Sequence, residues 1–423
     1  MPVFKLPYHT THMEVEVEEK NLKAVLTSNL HQYRAKKGEQ ELILEALANP
    51  IGTPRLRELA RGKKKVVIVT SDHTRAMPSK LTLPVLLAEI RQGNPEAQIK
   101  ILIATGLHRA TTVEEQRQKF GDKIVEEEEI VVHNAFDENA CEYVCQLPSG
   151  ASLVVNKLVT EADLLVCEGF IEPHFFAGFS GGAKSILPGV CSAKTVNENH
   201  SARAIAHPNS KAGIIHGNVI HEDMVYAARQ VGVDFILNVT LDAEKKVIAA
   251  FAGDVEKAHE AGCNFVTELS RVEPVQGDIV ITSVGGYPLD QNLYQSPKAA
   301  ATAEACAGED GVIILVAGCV DGLGGEHFGE LITGGTVEEI HERIMGIPDQ
   351  ETIPEQWCAQ IFSSMLMKHK LILVTTNLAP GIVRKANMIP AASAQEALAL
   401  AYQLKGADAK VVVIPDGVSV IAV

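Results

Sequence analysis

The sequence predicts an α/β fold of two domains, each a mainly parallel sheet flanked by helices, with an active site in the cleft between them. Three observations carry that expectation. The chain has 423 residues, more than one ordinary hydrophobic core accommodates. Hydrophobic residues make up 46% of it and aromatic residues only 5%, a Val/Ile/Leu/Ala interior suited to strands buried on both faces. Short apolar runs alternate with helical stretches, which is the pattern of βα units.

From the amino terminus, a helix is expected over Glu41 to Ala48, a strand over Val66 to Val69, and a helix over Pro84 to Arg91 with its proline in the first turn. Strands follow at Ile99 to Ile103, Leu153 to Val155, Leu164 to Cys167 and Phe235 to Val239, with helices at Met224 to Val231 and Val255 to Leu269. The segment Arg271 to Gly277 carries Pro274 and Gly277 between a long helix and a new strand, so the boundary between a domain 1–272 and a smaller domain 273–423 is placed there. The second domain has strand candidates at Ile279 to Ile281, Val312 to Val316, Leu371 to Val374 and Val411 to Ile414, and a helix at Ala394 to Leu404. No fixed-period repeat interrupts this order.

The 38 basic and 53 acidic residues give a net charge of −15, which disfavours nonspecific binding to nucleic acid or anionic membrane. An anionic substrate therefore needs a local basic cluster. The start, Met1 to Pro7, has no apolar signal segment, and no run of about 18 apolar residues exists to span a bilayer; a cytoplasmic protein is expected. The eight cysteines form no CxxC pair and read as buried reduced thiols. The acidic run Glu126 to Glu129 reads as a solvated helix end.

Polar clusters sit soon after the apolar runs, where α/β sheets bind ligands. Ser71-Asp72-His73-Thr74-Arg75 follows the first strand; Arg75 can grip a carboxylate bidentately, or can pair with Asp72 to tie down the turn. His108 follows Gly106 in a short loop after the second strand. His174 precedes Phe175 and Phe176, whose faces lower the local dielectric and favour a neutral imidazole for proton transfer, while a core histidine satisfied by backbone is the plainer alternative. Gly178 to Ser185 reads G-F-S-G-G-A-K-S, one residue from a P-loop, with Ala183 in place of the last glycine. Its amides at Gly178, Gly181 and Gly182 and the Ser180 hydroxyl can cradle a phosphate, and Lys184 can contact that phosphate or, when neutral, be acylated. His200 is a plausible metal ligand or a surface residue. The other histidines, among them His9, His12, His31, His133, His259, His341 and His369, have no companion motif. These residues leave open a zinc hydrolase with His108, His174 and His200 as ligands, an enzyme acting on a small carboxylate with paired histidines, and a nucleotide-binding protein on the near P-loop. Arg75 and Lys298, as two cations, favour the second.

Taken together, S-D-H-T-R at 71–75, T-G-L-H-R at 105–109, E-P-H-F-F-A-G-F-S-G-G-A-K-S at 172–185, N-H at 199–200 and G-G-Y-P-L-D-Q-N-L-Y-Q-S-P-K at 285–298 resemble the lactate racemases of the nickel-pincer-nucleotide family. The likeness extends to D-M-V-Y-A-A-R at 223–229, D-G-L-G-G-E at 321–326, P-E-Q-W at 354–357 and V-I-P-D-G at 413–417. It implies nickel held by a pyridinium-3,5-bisthiocarboxylic acid mononucleotide tethered to Lys184, with His200 as the protein's ligand to the metal. It also implies His108 and His174 as the acid/base pair, with Arg75, Tyr294, Gln295 and Lys298 at the substrate and Asp72 beside the histidines. Asp72, Thr74, Gly178, Ser180, Gly181 and Gly182 are then expected around the cofactor, and Trp357 with Tyr294 around the substrate methyl group. The implied reaction is interconversion of D- and L-lactate by hydride loss through pyruvate, with cofactor maturation proteins as partners; other small 2-hydroxy acids are the alternative substrates.

Overall fold

The computed structural model describes residues 1–30 and 32–423, and His31 lies outside the described residues. Every expected strand run falls inside a strand. Six strands form the first sheet in the spatial order Val247–Gly253, Val233–Leu241, Leu164–Phe170, Lys65–Ser71, Gln98–Ala104 and Glu129–Val132. All neighbours are parallel except the antiparallel edge strand Val247–Gly253. The second sheet runs Ile389–Ala391, Lys370–Val374, Ala307–Val316, Gly277–Ser283, Val411–Ile414 and Leu22–Val25, parallel throughout.

In each sheet the strand order reverses beside one strand: Lys65–Ser71 in the first, Gly277–Ser283 in the second. Adjacent connections leave in opposite directions there, opening a crevice at the carboxyl ends. The segments after these two strands carry Asp72 and Arg75 from the first sheet and Tyr294, Gln295 and Lys298 from the second. One apolar cluster joins the two sides, containing Val67 and Leu165 of the first sheet, Val280 and Ile313 of the second, and Trp357 of the helix Gln356–Leu366. Polar contacts reinforce it: Gln360 Nε2 donates to the Ala202 carbonyl at 2.7 Å, and Arg203 pairs with Asp349 at 2.6 Å.

Three features differ from the sequence expectation. The helix expected from Pro84 begins at Ser79 and runs to Gly93, so Pro84 lies inside it. Buried Ser79, Thr82 and Leu83 extend the packed face towards the amino end, and the proline's missing hydrogen bond falls on the carbonyl of exposed Lys80, where water can satisfy it. Leu153 to Val155 belongs to a separate antiparallel pair, Cys141–Gln146 with Ser152–Asn156. The chain's beginning packs with the second sheet: Leu22–Val25 pairs with Val411–Val413, and the hairpin Val3–Tyr8/Thr11–Glu16 puts Leu6, Tyr8 and Val15 against Ile279, Ile281 and Val316. A division at residue 272 therefore separates these first strands from the sheet they complete.

Seven of the eight cysteines are buried and all are free. Among the described residues no helix is long and apolar enough to cross a membrane.

Candidate active site

The loops from both sheets enclose a cavity of about 250 Å³. Its lining includes Asp72, Arg75, His108, His174, Ser180, Gly181, Lys184 and His200 from one side and Tyr294, Gln295, Lys298 and Trp357 from the other. Ligand sites of this kind combine apolar walls with a few convergent polar groups.

Asp72 is buried directly after its strand. One carboxylate oxygen accepts from His108 Nδ1 at 2.7 Å, and the other accepts from the Thr74 amide at 3.1 Å and hydroxyl at 2.6 Å. Burial alone would raise its pKa, but His108, Arg75 and Thr74 together hold it well below the usual carboxylate range. With Nδ1 donating to Asp72, a neutral His108 presents a bare Nε2. Among the described residues no ion pair joins Arg75 to Asp72; Nη1 of Arg75 donates to Thr74 Oγ1 at 3.0 Å, and its carbonyl accepts from Lys119 Nζ at 3.0 Å. The guanidinium is thus held beside the cavity with no carboxylate in ion-pair contact among the described residues. Thr74 acts on Asp72 from outside the lining.

His174 sits in an aromatic box, stacked on Phe175 at 4.9 Å and edge-on to Phe176 at 4.5 Å. Burial first, then Lys184, Lys298 and Arg75, push its pKa well down, so the ring is neutral. Its Nδ1 accepts from the Ala177 amide at 3.3 Å, which puts the proton on Nε2, 3.5 Å from Lys184 Nζ. Lys184 in turn is lowered to about 7 by burial and then by Arg75 and Lys298, against an opposing pull from Glu172. Near neutral pH its amine is therefore available as a nucleophile.

His200 ends the helix Ala193–Asn199 and is buried, not on the surface. Phe176 and Trp357 hold its ring edge-on at 5.0 and 4.9 Å, and its buried Nδ1 has no hydrogen-bond partner among the described residues. Burial, then Lys184, lowers its pKa to about 3, so it too is neutral. Across the cavity, Trp357 Nε1 donates to Tyr294 Oη at 3.0 Å. Gln295 closes the short turn Leu293–Gln295, and Lys298 stands in the first turn of the helix Pro297–Ala305. Burial first, then Arg75, lowers the pKa of Lys298, which Glu172 partly offsets.

The near P-loop does not fold as one. Gly178–Phe179 pairs antiparallel with Pro173–His174, and Gly182–Ser185 makes a single 3₁₀ turn, so no helix amino terminus faces a phosphate. Gly178 and Gly182 lie outside the cavity lining. A Cβ on Gly178 would meet the Ile214 carbonyl, and one on Gly182 would come within 2.6 Å of the His259 ring. Ser180 does line the cavity, but its hydroxyl donates to the Phe170 carbonyl and accepts from the Glu172 amide. The three-histidine zinc set also fails: among the described residues no group of three His, Cys, Asp or Glu side chains is placed to hold a metal ion.

Sequence reasoning missed Glu168, Glu172, Glu355 and Cys358 in the lining. Glu168 had a signal, a carboxylate inside the apolar run L-L-V-C-E-G-F. It is buried, with Thr70, Ser79 and Thr82 hydroxyls donating to it at 2.5–2.6 Å. Glu355 lines the cavity from a left-handed backbone position, φ 70.

Comparisons with known proteins identify the family. The lactate racemase N-terminal domain model matches residues 8–213 and the lactate racemase C-terminal domain model matches residues 272–422. Lactate racemases of Thermoanaerobacterium thermosaccharolyticum and Lactiplantibacillus plantarum are each 47% identical over 422 residues, covering 100% of this chain and 99% and 100% of theirs. The structure of the T. thermosaccharolyticum lactate racemase apoprotein superimposes with a TM-score of 0.96 at 46% identity, covering both chains completely. A Thermotoga maritima protein shares the fold at a TM-score of 0.66 and 19% identity, over 91% of this chain and 98% of its own. On these matches, the chain belongs to the lactate racemase family and is an isomerase of that type.

Proposed function

We propose that this protein interconverts D- and L-lactate by hydride loss and return through pyruvate, with His108 and His174 moving the hydroxyl proton. The observation that carries the reading is one small cavity holding two neutral-capable imidazoles, a buried nucleophilic lysine and two cations, Arg75 and Lys298.

An α-hydrogen beside a carboxylate is too weakly acidic for simple removal by histidine, so loss as hydride is the easier route. When bound, a nickel-carrying pyridinium mononucleotide tethered to Lys184 supplies a reversible hydride acceptor. The residues fit such a group. Lys184 is an amine that can be acylated, and His200 offers a single neutral imidazole with an orphaned ring nitrogen. A metal whose other donors come with the organic ligand needs no more than that from the protein. Dedicated maturation proteins would load it.

Arg75 and Lys298 grip the substrate carboxylate and Gln295 adds a polar contact, which fixes the orientation of the reacting carbon. His108 takes the hydroxyl proton of one enantiomer at Nε2, and Asp72 stabilises the resulting imidazolium. His174 serves the other face: its Nε2–H gives its proton to the oxygen as that oxygen becomes an alkoxide, and the same nitrogen takes the hydroxyl proton back in the reverse direction. Tyr294 and Trp357 wall the space for the methyl group, and the apolar faces of Phe175 and Phe176 exclude water. The test is a racemisation assay of loaded protein with each enantiomer, repeated with lactate deuterated at the α-carbon. Conversion of both enantiomers to an equal mixture, slowed by the label, is expected. Faster turnover of another small 2-hydroxy acid than of lactate would overturn the substrate.

A further inference from the structure

Unloaded, the cavity has a second chemistry built into it. Lys184 is a primary amine whose Nζ lies 3.5 Å from His174 Nε2 and 5.8 Å from the centre of the Phe176 ring, so it faces an apolar wall and a proton relay together. Arg75 and Lys298 border the same space, as do Glu172, His174 and His200. A small 2-oxo acid gripped by the two cations would place its electrophilic C2 carbonyl within the same 250 Å³ as the amine. These are the elements of an imine-forming site: a desolvated lysine, a group that moves protons and a carboxylate anchor.

We propose that, before any cofactor is attached, Lys184 condenses reversibly with a 2-oxo acid of pyruvate's size and is thereby protected against loading. This rests on the reading of Arg75 and Lys298 as a carboxylate grip. The amine lone pair forms the N–C bond to C2 and the carbonyl π electrons move to oxygen. One amine proton passes to that oxygen, giving a carbinolamine. The C–O bond then breaks as the second amine proton leaves with the oxygen as water, and the C=N bond forms. His174 is the group within reach to relay both protons. The lowered basicity of Lys184, to about 7, makes the free amine available at neutral pH.

Lys119 supplies an internal control. Its amine is also lowered, to about 8, but it is bound to the Arg75 carbonyl and lies outside the cavity lining. Low basicity alone would label both lysines, whereas the site geometry selects Lys184.

The experiment uses full-length protein made without maturation proteins, incubated with pyruvate and sodium cyanoborohydride, which reduces the imine to a stable secondary amine. Intact-mass and peptide mapping should show one adduct, on Lys184. It should vanish in Lys184→Arg and form about tenfold more slowly in Lys298→Gln or with acetone, which has the carbonyl but no carboxylate. Pyruvate present during loading should lower the loaded fraction. No adduct, or equal labelling of Lys119 and surface lysines, overturns the proposal. Loading and assaying a separate portion of the preparation, never exposed to pyruvate or cyanoborohydride, separates the two readings. Lactate racemisation without an adduct defeats the imine alone; an adduct without racemisation supports the imine and defeats the racemase assignment.

Discussion

His108 and His174 follow two strands of the same sheet and open on the same cavity, yet their surroundings are opposites. The side chain of His108 is 38% exposed and its Nδ1 is bound to a buried carboxylate 2.7 Å away. His174 is enclosed by two phenylalanines, has a backbone amide where His108 has Asp72, and faces three cations. His108 has a carboxylate on its ring nitrogen, whereas burial and the neighbouring cations oppose a positive charge on His174. The contrast teaches that two groups given mirror-image tasks need not be built alike, since each needs only to hold the proton in the state its face requires. It also makes His174 depend on loading, because acylating Lys184 removes a titratable amine 3.5 Å from its ring, while Asp72 holds His108 in either state.

One thermodynamic fact constrains every test of this comparison. Lactate enantiomers have equal free energy, so kcat/KM must be equal in the two directions for the native protein and for any variant. The asymmetry of the histidines can therefore appear only as unequal kcat and KM values that compensate.

The largest effect is expected from removing either imidazole. His108→Ala and His174→Ala should each lower kcat/KM by about 10²- to 10⁴-fold, the usual weight of a general acid or base. Loaded protein and both enantiomers are needed for the assay. Retention of turnover by both variants, with cofactor bound normally, would show that the oxygen is served by something else.

Asp72→Asn sharpens the comparison by leaving an acceptor for His108 Nδ1 while removing the charge. A fall of about 10- to 100-fold is expected, in line with the ~1.5–3 kcal/mol of a hydrogen bond to a charged group. The kcat values for the two enantiomers should change unequally, because only the face served by His108 loses its support. Equal changes in both would mean that Asp72 shapes the loop without acting on proton transfer.

How much of this was legible in the sequence depended on whether the signal was local. Apolar runs such as Val66 to Val69 and Leu371 to Val374 announce buried parallel strands, and polar residues at their carboxyl ends announce the crevice. The hairpin at residues 3–16 gave no such sign, because its two-residue turn is His9-Thr10, with His9 at φ 47 instead of an Asn-Gly or Asp-Gly pair. The pairing of Leu22–Val25 with Val411–Val413 spans nearly the whole chain, and nothing in four residues specifies so distant a partner. At the site, histidines and lysines were visible as types and Phe175 and Phe176 pointed to a neutral His174, but the burial that lowers the basicity of His200 and Lys184 was not visible. For His200, a plausible metal ligand in a polar segment, surface exposure stays open as the alternative until Phe176 and Trp357 are seen to close over it. The glycines of 178–182 invited a phosphate-loop reading because their need for close packing against Ile214 and His259 comes from segments far along the chain.

A stability measurement tests the cation side of the comparison without cofactor. In the unloaded protein Lys184 titrates at about 7, whereas an unfolded lysine titrates at its ordinary value of 10.5. Between those values the unfolded chain holds a proton that the folded chain lacks, so this group makes stability rise with pH through that window; below about 7 its penalty is fully present. Lys184→Met should therefore be more stable than the native protein at pH 6, with the advantage shrinking towards pH 10. Urea unfolding of the two unloaded proteins at several pH values reads it directly. A constant difference across that range would mean that Lys184 keeps its ordinary basicity.

The smallest effect concerns the wall that both faces share. Trp357 does two things: its ring packs edge-on to His200, and its Nε1 donates to Tyr294 Oη. Trp357→Phe keeps most of the packing and removes the donor, so a loss of only ~0.5–1.5 kcal/mol in transition-state binding is expected, the weight of one neutral hydrogen bond. The preference for lactate over 2-hydroxybutyrate should then stay nearly unchanged, because the apolar volume beside the methyl group is largely preserved. Trp357→Ala opens that volume and should move the same ratio towards the longer acid by roughly 1–3 kcal/mol, the discrimination usual for one methylene. Competition between the two acids measures both variants in one assay. If Phe shifts the ratio as much as Ala does, selectivity lies in the Tyr294 hydroxyl that Trp357 holds in place; if neither shifts it, the methyl group points elsewhere in the cavity.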